Sequence, residues 1–154
     1  MFNVFMTMPH VVFGVFGITM AVWTLVELLN LSVGNLNRIK VSSLLTSVFV
    51  CLAYLFGGWW YVVHYGKDKA KILSGSFPAA HSFFMETKEH TFFILLFLSI
   101  LLPIIVHKNQ LLDNKNIKKL TTTVAIMIIV LGFGMEGFGS MISSGVKIGL
   151  LGAK

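Results

Sequence analysis

Four apolar runs separated by short polar segments, at about residues 9–31, 41–63, 79–106 and 120–141, decide what this chain can become. About 20 helical residues, rising 1.5 Å each, match the roughly 30 Å hydrocarbon core of a bilayer. In lipid a segment must satisfy its own backbone, and only helices and closed barrels do so. The runs are continuous rather than alternating, so helices are expected and strands are not. The connections around 34–40 and 108–119 are about a dozen residues or fewer, which makes consecutive helices antiparallel neighbours. The expected fold is therefore all-α: one integral membrane domain over residues 1–154, a four-transmembrane-helix up-down-up-down bundle.

Composition agrees. Hydrophobic residues make up 56% of the 154 and charged residues 12%, against about 25% charged in soluble domains. The net charge of +6 does not point to nucleic acid. The lysines and arginine sit in short loops and tails, where anionic headgroups account for them. The single cysteine, Cys51, excludes an internal disulfide, a thiolate cluster and a C-x-x-C-H haem attachment. No basic residue precedes the first run, so 1–31 reads as a retained span and not a cleaved signal. Basic residues tie at six on each side of the bundle. The first helix has none before it and two soon after, which places both termini outside, in a prokaryotic inner membrane.

Within the third run, Ser76 and Pro78 form a cap and first turn. Residues 79–89 then project two to three turns into the headgroups, and Pro103 kinks the far end.

The polar residues that lipid does not explain carry the functional signal. His10, His64, His81 and His90 fall on one side of an alternating bundle, and His107 falls on the other. Small residues lie beneath His10 at helical spacing, Gly14 and Gly17 first. Gly57 lies two turns from His64, with Trp60 and Tyr61 alongside. Such stripes admit either a close helix or a flat ligand. Glu86 and His90 share a face with Phe93, so Glu86 is read as a co-ligand or as an orienting partner. His81 points half a turn away. Glu136 lies one or two turns inside the membrane, where a carboxylate faces the bundle interior and finds a partner; His10, His64 and His90 are the candidates. Glu27 is its counterpart near the opposite face, with His107 and Lys119 expected beside it.

The chain carries no Walker motif, nucleophile elbow, H-E-x-x-H or row of arginines, so hydrolase and channel chemistry lack a basis and no catalytic residue is assigned. An electron-transfer subunit is expected rather than a stand-alone enzyme. The leading expectation is a small membrane b-type cytochrome holding haem b between two of His10, His64 and His90, with His10 and His90 as first pair. Gly14, Gly17, Gly57, Trp60 and Phe93 would surround the macrocycle. Glu136 and Glu86 would handle protons, with a quinol as donor. The alternatives are a non-haem copper, zinc or iron site on His10, His64, His90 and Glu86, or a non-catalytic subunit packed against other membrane or redox proteins.

Overall fold

The computed structural model describes residues 2–108 and 111–152, with side chains from Thr7 onward. The chain is 92% helical, and no strand occurs among the described residues. Helix α1 spans Phe2–Leu29, α2 spans Leu36–Ser74, α3 spans Glu86–His107 and α4 spans Lys115–Gly152. A 3-10 turn, Val33–Asn35, joins the first two, and a π-helical segment, Ala80–Met85, leads into α3. All four are long and apolar enough to cross a membrane. Their surfaces agree, since Val62 is 82% exposed, Phe97 68% and Phe133 62%.

Three helices outrun the expected spans. At 39 residues, α2 is about 58 Å long, well beyond the hydrocarbon core. The reason lies in its second half, where Tyr65, Asp68 and Ile72 are buried. That i, i+3, i+7 stripe keeps the helix packed after its residues have become polar. α4 likewise continues past Met141 to Gly152, with Ile142, Gly145 and Gly149 buried. α1 starts before Pro9, which lies inside it.

Contacts between helices fix their register. Thr24 meets Ser42, Gly17 meets Val50 and His10 meets Gly57, so α1 and α2 run in opposite chain order. Ile18 against Gly132 and Gly14 against Glu136 do the same for α1 and α4. Tyr54 stacks on Phe92 at 5.0 Å, and Tyr65 meets His81, setting α2 against α3 and its π-helical entry. α1 and α3 each pack on α2 and α4 and lie on the diagonal. Beyond them α2 and α4 approach backbone to backbone: a Cβ on Gly75 would sit 2.8 Å from the Gly149 Cα.

At the end of the bundle where α1 turns into α2, the polar groups satisfy one another. Asn35 is 3% exposed. Its amide donates to the Glu27 carbonyl (3.0 Å), the Glu27 carboxylate (2.9 Å) and the Asn30 carbonyl (3.1 Å), while its Oδ1 accepts from the Ser32 N–H. Arg38 and the Trp23 N–H, both at 3.1 Å, complete the Glu27 carboxylate. Glu27 is thus held by Trp23, Asn35 and Arg38, and not by His107 or Lys119 as its position near that face had suggested. Below this knot, Thr24 donates to Ser42 at 2.9 Å. Thr46 and Ser99 turn their hydroxyls onto carbonyls of their own helices, which lets fully buried hydroxyls pack without an unmet bond. Leu28, Ile39, Leu102, Val106 and Ile128 fill the core here.

Candidate functional site

The other half of the bundle holds a second packed cluster, Tyr65, Ile72, Ala80, Met85 and Ile142, with an open space beside it. A cavity of about 790 Å³ opens between the helices, within the range of small-molecule sites. A narrower pocket of about 30 Å³ shares part of this lining and lies among His10, Gly14, Lys88, Phe92 and Glu136.

His10 marks the inner end. Its Nδ1–H donates to the Ala53 carbonyl at 2.7 Å, which leaves Nε2 as the free ring nitrogen of the neutral imidazole. The ring packs against Gly57, where a Cβ would meet Nδ1 at 2.5 Å. Gly57 is therefore required by the histidine itself. One turn deeper, a Cβ on Gly14 would fall 2.7 Å from Glu136 Oε1, so that glycine makes room for a carboxylate. Gly17 accommodates Val50. The small-residue stripes are thus occupied by side chains of neighbouring helices and not by an open slot. Gly58, with nothing within 4 Å of its Cβ position, does open on the cavity.

Lys88 reaches in from α3. A Cβ on Gly139 would lie 3.1 Å from its Nζ, and its charge acts on both Glu136 and His10. His10, Lys88 and Glu136 thus bring three ionisable groups from three helices to one end of an apolar space. Glu89 follows on the same wall, where its charge acts on the Tyr61 hydroxyl. Trp60, Tyr61, Phe92 and Phe93 supply aromatic lining, and Met85 and Met135 supply thioethers. Two polar atoms of these side chains, the Trp60 Nε1 donor and the Glu89 Oε1 acceptor, are covered by surrounding protein without a hydrogen-bond partner.

The expected histidine cluster is not gathered around this space. His90 is exposed, its Nδ1–H turned onto the Glu86 carbonyl at 2.7 Å. His64 stands edge-on to Trp59, with centroids 5.4 Å apart, and does not line the cavity. The Glu86 carboxylate lies 4.0 Å from Nε2 of His81 rather than beside His90. Among the described residues no group of three or more His, Cys, Asp or Glu side chains is placed to hold a metal ion, so the metal set His10, His64, His90 and Glu86 does not come together.

The residues that sequence reasoning passed over are Lys88 and Glu89, read there as headgroup charges. A signal for Lys88 existed. Positions 88, 92, 95, 99, 102 and 106 form one helical stripe, and Leu95, Ser99, Leu102 and Val106 on it are buried. Position 90 belongs with the exposed Phe93, Ile94 and Phe97.

Comparison of the chain with family models, with curated proteins and with solved structures gives no match.

Proposed function

We propose that the protein crosses a prokaryotic inner membrane as an up-down-up-down bundle, and that its cavity binds the headgroup of a membrane quinol within an electron-transfer assembly. The observation that carries this reading is the cavity itself, where His10, Lys88 and Glu136 stand at one end of a space walled by Trp60, Tyr61, Phe92 and Phe93. A flat apolar ring suits the aromatic wall, and its hydroxyl groups suit the ionisable end.

The chemistry follows from the charges. A quinol that becomes a quinone gives up two electrons and two protons. The electrons leave to one-electron acceptors on partner subunits. The protons need bases close to the ring hydroxyls, and His10 Nε2, Glu136 and Glu89 are the bases at hand. Lys88 keeps the neighbourhood from becoming uniformly acidic as carboxylates ionise. In this orientation both termini and the cavity mouth face outward.

A second reading, a b-type haem, draws on one observation. A ligating histidine ordinarily donates its other ring N–H to a carbonyl or carboxylate, and His10 does so to Ala53. His10 would then be one axial ligand. Of the cavity-lining residues, the thioethers of Met85 and Met135, and neither His64 nor His90, would be candidates for the other.

The test is titration of the purified protein with decylubiquinone, read by tryptophan fluorescence, beside its visible absorption spectrum. Saturable quenching that weakens about tenfold in Trp60→Phe supports the quinol site. A Soret band lost in His10→Ala supports haem. Neither signal in the intact protein ends both readings.

A further inference from the structure

Beyond the outer wall of the cavity lies a second set of titratable side chains that ligand binding does not use. Tyr65 is 3% exposed and His81 7%. They are joined by a hydrogen bond of 2.9 Å between the phenol oxygen and Nδ1. Nε2 of His81 looks in the other direction, 4.0 Å from a Glu86 oxygen, and the Glu86 side chain is 58% exposed. A carboxylate facing Nε2 favours the tautomer with its proton on that nitrogen. Nδ1 then accepts, and the Tyr65 hydroxyl donates. Three side chains thus form a directed chain from a buried phenol to a carboxylate at the surface.

The inner end of this chain touches the cavity. Tyr61 lines it together with Glu89, and its ring stacks on Tyr65 with centroids 5.1 Å apart and planes at 21°. Trp60, also on the lining, packs against Tyr65 at 5.7 Å. The charged and titratable groups acting on Tyr65 are Tyr61, Glu89, Asp68 and Glu86; Asp68 is itself engaged by Lys71 at 3.0 Å.

We infer that Tyr65, His81 and Glu86 form the proton exit of the cavity, carrying protons released by the bound quinol to the membrane surface. This inference rests on the quinol reading. In each transfer the Tyr65 oxygen takes a proton from the cavity side and passes its own to His81 Nδ1. His81 releases the Nε2 proton to Glu86, and Glu86 gives it to water. One proton enters, one leaves, and no electron moves along the chain. The imidazole ends as the Nδ1–H tautomer, and exchange of its proton with water restores the Nε2–H form before the next transfer.

The experiment uses the full chain in lipid nanodiscs with decylubiquinol bound. A flash-generated ruthenium(III) complex is the one-electron acceptor, two being reduced per quinol, and a pH-sensitive dye in the surrounding water reads the released protons. Tyr65→Phe and His81→Gln are expected to slow proton appearance at least tenfold, while decylubiquinol affinity and oxidation yield stay at wild-type values. Retained affinity also shows that these variants fold. Glu86→Gln, at an exposed position, is expected to slow release several-fold and to recover with added acetate, a response that a purely structural carboxylate does not give. Unaltered release in all three variants, with normal binding and oxidation, overturns the exit path alone. A wild-type chain that does not bind decylubiquinol overturns this inference together with the quinol site.

Discussion

The two ends of the bundle treat buried polar groups in opposite ways. Around Asn35 every hydrogen-bonding atom of the side chain is used, and Glu27 receives three partners from the surrounding turn. Around the cavity, His10, Lys88, Glu89 and Glu136 converge on open space, and Trp60 Nε1 and Glu89 Oε1 have no partner. In a low-dielectric interior a satisfied network makes one arrangement rigid, whereas an incomplete one is a standing cost. Polarity alone does not distinguish the two ends; completeness of the hydrogen bonding does.

That contrast predicts opposite responses to deletion. The largest effect on stability is expected from Asn35→Ala, which removes the side-chain bonds to Glu27, Asn30 and Ser32 and leaves carbonyls buried. A loss of roughly 2–4 kcal/mol should appear in detergent unfolding, with ligand affinity in the folded fraction unchanged. If Asn35→Ala were neutral, the closed end would owe its order to packing alone.

Trp60→Phe should do the reverse. It removes a buried donor that no protein group satisfies, so stability should hold within about 1 kcal/mol or rise. Decylubiquinone affinity should fall about tenfold, which is about 1.4 kcal/mol. A stability loss as large as that of Asn35→Ala would erase the distinction between the two ends.

Within the closed end, Thr24→Val breaks the bond to Ser42 while keeping the shape of the side chain. A cost of about 1 kcal/mol is expected from thermal unfolding in detergent. The smallest effect belongs to Arg38→Ala. The arginine side chain is 61% exposed, so its ion pair with Glu27 should contribute less than about 1 kcal/mol and weaken further with added salt. A cost that does not respond to salt would mean that Arg38 acts through packing.

The sequence makes the number and type of elements legible because lipid leaves so few choices. The pairing of α1 with its neighbours was also partly visible, since Gly14 and Gly17 mark a close approach. What occupies that approach was not visible. A glycine stripe looks the same whether it admits a helix, a carboxylate or a flat ligand, and here Glu136 and Val50 fill it. The inward face of α3 was the harder problem. In a helix that is apolar all round, hydrophobic periodicity does not separate the lipid side from the protein side. Ser99, on the buried stripe with Leu95 and Leu102, is the polar marker that aligns Lys88 inward and His90 outward. Helix ends were misplaced for a related reason. Lys67, Lys69 and Lys71 look like a loop to hydropathy, yet Tyr65, Asp68 and Ile72 in the same stretch are buried.

The π-helical entry to α3 has a consequence for how the chain tolerates change. In that segment the Glu86 N–H reaches back five residues to the His81 carbonyl, one more than an α-helix spans. The wider turn holds one residue more than an α-helical turn, so it absorbs that residue instead of passing a turn of about 100° down the helix. Removing a single residue there, Ser82 for example, would let the segment wind as ordinary α-helix, with His81 on one side and Lys88, Glu89 and Phe92 on the other roughly keeping their aim. The same deletion inside α3 would turn the two sides by about 100° against each other. The segment is a slack joint: a change of one residue in length is taken up there but disrupts the helix elsewhere.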